Sequence, residues 1–533
     1  MSAKSNLRVL VADKMSAAAP ALLQEAGIAA DVKTGMTRDE LIACIGTYDG
    51  LIVRSATKVT PPVIAAAKRL KVIGRAGIGV DNIDVPAATA KGIAVVNTPW
   101  GNSVTTAEHA LALLVSLARH IPDANVSTHA GKWEKSKFEG VEVSGKQLGI
   151  IGCGNVGSIM ANRALGLKMK VAAYDPYLTE ERAQELGVDK MELDALLAAS
   201  DFISLHAPLT DKTRHIMNAQ SLAKAKAGVR IINCARGELI DDAAMVAALK
   251  SGHVAGAAFD VYVEEPAKES PYFGMPNVIC TPHLGASTRE AQENVARQAA
   301  SYLADYLQHG IIHAAINLPS TGGSEARHLR PYILLGGQLG EFLGQMVESA
   351  VSELEIEYAG EVQTLNRRAL SLAILAGFLR PQLSNVNAVN APDLARARGL
   401  TVSEKTSPSL GAFDTYIRLA VKTTRAKRSI AGTLFSDKLP RIIQLMGLDV
   451  KADWMANMLY VTNEDKPGFI GALGTVLGRH GVNIGSFNLG RARSGRDAIA
   501  LLGLDARISD AALAEVQALE NVVETRRLSF SLL

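Results

Sequence analysis

Cysteine is scarce in this chain. Cys44, Cys153, Cys234 and Cys280 are spread along 533 residues without a CxxC pair, so neither a disulfide framework nor a zinc cage is indicated. Long apolar runs are missing as well. None approaches the roughly 18 residues that a membrane span requires, and MSAKSNLRVLVAD passes almost directly into a strand-like run. Charge of one sign is also missing, because 56 Lys plus Arg face 53 Asp plus Glu, a net +3. Such a balance gives no global attraction to nucleic acid or to a membrane surface, although it leaves room for a local basic pocket. These absences lead us to expect a cytoplasmic protein with no nucleic-acid partner, no membrane partner and no metal. What is present is an ordinary globular composition, 48% apolar and 20% charged, in a chain long enough for roughly three or four domains.

The stretch LGIIGCGNVG, residues 148 to 157, organises the rest. Leu148, Ile150 and Ile151 read as a buried strand, and Ser158 onward reads as a helix. Between them Gly152 permits a tight turn, Gly154 lets a pyrophosphate approach the backbone, and Gly157 lets helix and strand pack closely. The phosphates would then rest on the positive end of the helix. Glycine-rich turns are common, so the pattern alone is as often an ordinary turn. The context decides: KVAAYDP follows, and Asp175 ends a second apolar strand. A carboxylate there accepts a ribose 2′-OH and repels a 2′-phosphate, which favours NAD over NADP.

Upstream, LRVLVAD, DGLIVRS, KVIGRAG and GIAVVNTP alternate with amphipathic segments, the pattern of a parallel sheet covered by helices. The helical run NSVTTAEHALALLVSLARHI follows, with Thr105 and Glu108 at capping-box spacing. Beyond the glycine loop, DFISLHAPL, RIINCARG, AGAAFDVY and NVICTPHLG complete five or six strands of a doubly wound sheet. The helical REAQENVARQAASYLADYLQHG is expected to return to the first unit. After about Ala314 a Gly-rich segment leads into a long helix and then into further strands. The last 81 residues read β-α-β-β-α-β, a ferredoxin-like unit.

Three polar residues fall at or just beyond strand ends in the second unit: Arg236, Glu265 and His283. Ligands bind at the carboxyl ends of strands in open α/β sheets, so the three could meet beside the nicotinamide. Singly, Arg236 could anchor a turn, Glu265 could be a solvated loop carboxylate and His283 could cap a helix. Together they fit oxidation of a 2-hydroxy acid. His283 would take the hydroxyl proton, Glu265 would fix its tautomer, and Arg236 would hold the carboxylate.

Through RAGIGVDNID, LGIIGCGNVG, NCARGELID, DVYVEEP and TPHLGAST, residues 1 to about 310 resemble the D-isomer-specific 2-hydroxyacid dehydrogenase family. With its tail included, the whole chain resembles the long form of that family, which adds an intervening domain and a C-terminal ACT domain. The resemblance implies an α/β architecture. A Rossmann-type doubly wound nucleotide domain (98–286) is inserted in a flavodoxin-like substrate domain (1–97 and 287–312). An α+β intervening domain (313–452) and a ferredoxin-like ACT domain (453–533) follow. It also implies that Arg236, Glu265 and His283 are catalytic, with His283 as acid and base. NAD contacts would fall on Gly152, Gly154, Asn155, Val156, Gly157 and Asp175, then on His206, Ala207 and Pro208. Further NAD contacts would be Cys234, Ala235, Arg236, Asp260, His283, Gly285 and Ala286. Substrate contacts would fall on Arg54, Ser55, Arg75, Ala76, Gly77, Asn102 and Ser103.

The activity implied is NAD-dependent oxidation of 3-phosphoglycerate to 3-phosphohydroxypyruvate, the first step toward L-serine, in a homo-oligomer, either dimer or tetramer. A substrate with phosphate and carboxylate needs cations around the mouth of the site. Arg54 and Arg75 would flank it, and Lys132, Lys135 and Lys137 either reach over from a neighbouring subunit or form a plain solvated loop. Ile78 and Ala207 stand where relatives often carry threonine, which puts one cofactor hydrogen bond in question. In the ACT domain Asp465 and Asn483 match positions that bind a serine effector. The turn NEDKPG lacks the histidine of some serine-inhibited relatives, so a structural or oligomerising tail stands beside the regulatory reading. Two other activities fit the dehydrogenase core. One is a reductase of glyoxylate, hydroxypyruvate or another 2-oxo acid, which seldom carries the two tail domains. The other is an NADH-sensing scaffold of the corepressor kind, against which the complete Arg-Glu-His set argues.

Overall fold

The computed structural model describes residues 7–322, 326–408, 413–423, 427–436, 438–491 and 497–531. Among them four sheets form. The first joins β1 (Arg8–Val11), β2 (Ala29–Val32), β3 (Gly50–Val53), β4 (Val72–Arg75) and β5 (Ala94–Asn97) in the parallel order β2-β1-β3-β4-β5. β3 and β5 are buried along their whole length, which is why they read as uninterrupted apolar runs. β2 did not stand out in the sequence, because it is an edge strand with no fully buried residue. The helix Arg289–His309 lies against β3 and β4, where the missing side chains of Gly50 and Gly74 leave room for Leu303.

The second sheet is also parallel. It contains β6 (Gln147–Ile151), β7 (Lys170–Tyr174), β8 (Asp189–Lys190), β9 (Phe202–Leu205), β10 (Val229–Asn233), β11 (Val254–Phe259) and β12 (Val278–Cys280), in the order β12-β11-β10-β9-β6-β7-β8. The chain direction across the sheet reverses between β6 and β9, the crevice where a dinucleotide binds in this architecture. The helix that leads into this unit begins at Ser103, earlier than the capping box placed it. Ser103 Oγ donates to Pro99 O at 2.8 Å and opens the first turn. Thr105 and Glu108 therefore lie inside the helix, where Thr105 meets Thr288 at 3.2 Å and Glu108 meets Arg163 at 3.6 Å.

The third unit packs the helices Ala326–Met346 and Arg367–Leu379 on a six-stranded sheet. Its strands are β13 (Val351–Ala359), β14 (Thr401–Ser407), β15 (Tyr416–Thr423), β16 (Lys427–Phe435), β17 (Leu439–Leu445) and β18 (Leu448–Asp453), ordered β14-β13-β15-β16-β17-β18. Glycines of the Gly-rich segment lie within the long helix. Gly340 and Gly344 face the backbone of the second helix so closely that a Cβ would collide with the carbonyls of Ile374 and Phe378. The unit docks on the first sheet through Asn387, which donates to Gly92 O at 2.7 Å, and through buried Val389.

The last sheet is antiparallel, with β19 (Asn457–Glu464), β20 (Ile484–Arg491), β21 (Asp497–Leu504) and β22 (Val522–Ser529) ordered β20-β21-β19-β22. With its two helices it is the expected ferredoxin-like β-α-β-β-α-β unit. Among the described residues no helix is long and apolar enough to cross a membrane.

Candidate active site

The glycine loop runs from the end of β6 into the helix Asn155–Gly166. Gly152 sits at φ +92°, and a Cβ there would stand 2.6 Å from Ala207 N, so the loop and the His206-Ala207-Pro208 turn touch across the crevice. A Cβ on Gly157 would strike the carbonyl oxygen of Gly152, whereas one on Gly154 would meet nothing within 4 Å. The first and third glycines therefore close the turn and the second leaves open space for a ligand. Asp175 is half-buried and accepts Cys153 N at 2.9 Å and Tyr177 N at 2.8 Å. Each carboxylate oxygen keeps a lone pair for a ribose hydroxyl, so these residues fit NAD. Asn155 donates to Pro99 O at 3.2 Å, which ties the loop to the connection between the first two units. Burial pushes the His206 imidazole down to about 4, so it is neutral beside Ser204 Oγ, 2.8 Å away.

The turn after β10 carries Cys234, Ala235 and Arg236. Asn233 holds it, donating to Arg236 O at 2.8 Å and accepting Ala235 N at 3.0 Å. Cys234 is buried, which drives its thiol well above the ordinary range. His283 follows β12 in a left-handed conformation, φ 54°. Its Nδ1 lies 2.5 Å from Glu265 Oε2, and Glu265 Oε1 accepts Tyr262 N at 3.0 Å. Partial burial opposes ionisation of Glu265, but His283, the Tyr262 N–H and the charge of Arg236 outweigh it and hold the carboxyl below its usual range. The expected catalytic set is thus gathered at one edge of the sheet, with Arg236 close enough to act on Glu265 electrostatically.

Asp260, expected against the cofactor, is fully buried. Its carboxylate accepts Leu284 N at 2.7 Å, Gly285 N at 2.8 Å and Thr281 Oγ1 at 2.6 Å, and His109 lies 3.2 Å away. In this structure it braces the His283 loop from beneath. Gly285 O in turn accepts Thr106 Oγ1 at 2.9 Å, and Ala286 is half-buried beside it. His109, Cys234 and Asp260 bring potential metal-ligating atoms within 4.8 Å of one another. The Asp260 oxygens already serve the loop, which makes the cluster a brace. His109 and Asp260 act here as supports through pairings far apart in the chain, which a sequence pattern does not register. Asn233 instead holds its own turn through bonds two and three residues on.

Opposite this edge stand the carboxyl ends of the first sheet. Arg54 follows β3 at the reversal between β1 and β3, its backbone N–H held by buried Asp13 at 2.6 Å, with Ser55 exposed beside it. Arg75 ends β4 with its guanidinium folded over Gly77, at φ +147°. Burial and the neighbouring charges of Arg236 and Arg54 push Arg75 down to about 10, so it stays charged at neutral pH in a crowded cationic corner. Arg236 reaches across and pairs with Asp81 at 2.9 Å. Ala76, Gly77, Asn102 and Ser103 are buried alongside. Arg75 Nε and Asn102 Oδ1 are buried and find no hydrogen-bond partner among the described residues, as groups that await a polar ligand are. The backbone of Ile78 is held by Asn97, which donates to its carbonyl at 2.6 Å.

Three expectations lie apart from this cleft. Lys132, Lys135 and Lys137 are exposed on a loop, Lys137 facing Glu134 at 3.8 Å. In the last unit Asp465 pairs with Arg491 at 3.4 Å, and Asn483 donates to Asp505 at 2.6 Å. Among the described residues no hydrogen bond joins Asp465 to Asn483. A cavity of about 700 Å³ lies in the third unit against Arg367, Ser371 and Leu400, whereas the dehydrogenase site is an open cleft between two sheets.

Family models match three stretches of the chain. Residues 111–285 match the NAD binding domain of D-isomer specific 2-hydroxyacid dehydrogenases, 328–446 the D-3-phosphoglycerate dehydrogenase intervening domain, and 457–521 the ACT domain. The D-3-phosphoglycerate dehydrogenase of Bacillus subtilis is 40% identical over 522 residues, covering 97% of this chain and 99% of the relative. The chain belongs to the D-3-phosphoglycerate dehydrogenase family. The D-3-phosphoglycerate dehydrogenase of Synechocystis is 42% identical over 511 residues, 96% of this chain and 92% of that relative. Among solved structures, an NAD+-bound 3-phosphoglycerate dehydrogenase of Entamoeba histolytica has 28% identity and a TM-score of 0.51, over 59% of this chain and 99% of its own. A glyoxylate reductase of Paecilomyes thermophila has 31% identity and a TM-score of 0.55, over 58% and 98%. The dehydrogenase core is thus common to several substrates, while the two tail units match D-3-phosphoglycerate dehydrogenases.

Proposed function

We propose that this protein oxidises 3-phosphoglycerate to 3-phosphohydroxypyruvate with NAD, the step that opens L-serine synthesis. The observation that carries the reading is the meeting of Arg54, Arg75 and Arg236 with the His283–Glu265 pair across one cleft. Nδ1 of His283 faces Glu265, which leaves Nε2 to take the proton from the C2 hydroxyl. Glu265, ionised and hydrogen-bonded, keeps the ring in that tautomer and stabilises the imidazolium that results. Arg236 engages the substrate carboxylate and polarises the C2 oxygen, and Arg54 and Arg75 receive the phosphate. When bound, NAD supplies the hydride acceptor. Domain bounds follow the sheets, with the substrate domain in two pieces around the nucleotide domain.

A homo-oligomer is supported by the helix Ile121–His129, which buries none of its residues and exposes Ile121 and Val126 next to Trp133, 88% exposed. Large apolar side chains left exposed within one short segment are what an interface would cover. In such a dimer Lys132, Lys135 and Lys137 stand at the partner's site. Serine regulation through the ACT unit rests on Asp465 and Asn483 alone.

The reading is tested by steady-state oxidation of 3-phosphoglycerate and of D-glycerate, wild type against His283→Ala. The variant is expected to lose at least about 100-fold in kcat while retaining NAD, the loss of general acid/base catalysis. A kcat/KM no higher for the phosphorylated acid would sink the substrate assignment.

A further inference from the structure

We propose that Asp81 is a positioning residue that holds Arg236 across the cleft with two N–H groups left for the substrate. The inference rests on Arg236 being the substrate arginine. A guanidinium carries five N–H groups. In Arg236 the Nε and Nη2 groups both reach Asp81 Oδ2 at 2.9 Å, and Nη1 donates to Ala235 O at 2.6 Å. One N–H on Nη1 and at least one on Nη2 remain, enough for a bidentate carboxylate or a carboxylate-alkoxide pair.

Neighbouring residues are shaped around this pair. A Cβ on Gly79 would collide with Nη2 of Arg236 and stand 2.7 Å from Asp81 Oδ2, so the glycine opens the seat. Asn82, next to Asp81, fixes its loop by donating to Arg54 O at 2.8 Å and Thr57 O at 2.7 Å. Asp81 also supplies a negative charge among three arginines that otherwise repel one another, as its opposing influence on Arg75 records. Its carboxylate is 62% exposed, and an exposed pair contributes little to stability. What it gives is direction, and that direction exists only while the two sheets face each other. Arg236 follows β10 of the nucleotide sheet and Asp81 follows β4 of the first sheet, so closure of the cleft and alignment of the guanidinium are one event.

The test compares full-length wild type, Asp81→Ala, Asp81→Asn and Asp81→Glu, each alone and with Arg236→Gln. Asp81→Ala is expected to lower kcat/KM for 3-phosphoglycerate at least tenfold, with NAD affinity and Tm unchanged and with partial recovery in Asp81→Glu. In the Arg236→Gln background Asp81→Ala should change kcat/KM by less than threefold, because the residue it steers is gone. Equal factors in both backgrounds, or a wild-type rate in Asp81→Ala, overturn the proposal. A neutral Arg236→Gln would instead bring down the assignment of Arg236 and with it the mechanism proposed above.

Discussion

The ring of His206 is enclosed at the end of β9 even though the residue keeps some exposed surface. Burial lowers its pKa from the ordinary 6.5 to about 4, so between those values the unfolded chain binds a proton that the folded chain refuses. Folding stability must then fall on acidification through that window, by about 1.4 kcal/mol per pH unit for one such group. His206→Gln is expected to flatten this slope between pH 6.5 and 4 in urea unfolding; parallel curves for the two proteins would show that the ring is not the cause. Arg75 poses the opposite case, a charge kept in a buried, repulsive corner, where the function proposed above gives it an anionic substrate to meet. At this scale the sequence disclosed residue types but not partners. Arg236, Glu265 and His283 were legible as a set, whereas the bond from Arg236 to Asp81 joins positions 155 apart and left no local pattern. Asp260 could be placed near the cofactor, but its engagement by three loop donors belongs to the folded chain.

Strands with buried faces could be read directly, whereas the exposed edge strands β2, β8 and β14 could not. β3, β5 and β9 are fully buried runs. β2 has no buried residue, β8 is two exposed residues, and β14 has only half-exposed and exposed side chains, none buried. An edge strand needs no continuous apolar run, so its signal fades into that of a loop. The capping box failed for a related reason, since Ser103 reaching back to Pro99 started the helix before Thr105 could. In the third unit the spacing of Gly340 and Gly344 signals close helix packing only once the second helix is seen. Gly340→Ala places a methyl against the Ile374 carbonyl. We expect it to destabilise the unit by about 1–3 kcal/mol, the usual cost of overpacking, with a lower transition in thermal unfolding. Since Gly340 lies far from the cleft, kcat/KM below that transition should hold; an unchanged transition would mean the helices can part without loss.

For the whole molecule, the order of units was readable because composition and periodicity change with each one, whereas a surface proposed to join copies of the chain is marked only by exposed apolar residues. Trp133→Asp with Val126→Asp puts two charges on the face that we assign to the dimer. Sedimentation is expected to show a smaller particle with kcat/KM reduced by at least tenfold, as the partner's lysines leave. An unchanged particle would place the interface elsewhere. The first unit also contains both a run before the nucleotide domain and the helix Arg289–His309 after it. The backbone therefore bridges the two bodies twice, once between Asn97 and Ser103 and again ahead of Arg289. A protease that severed one bridge would leave the halves tethered by the other. Paired tethers favour swinging about the line that connects them over sliding or unscrewing, so the cleft is expected to open like a book on its spine.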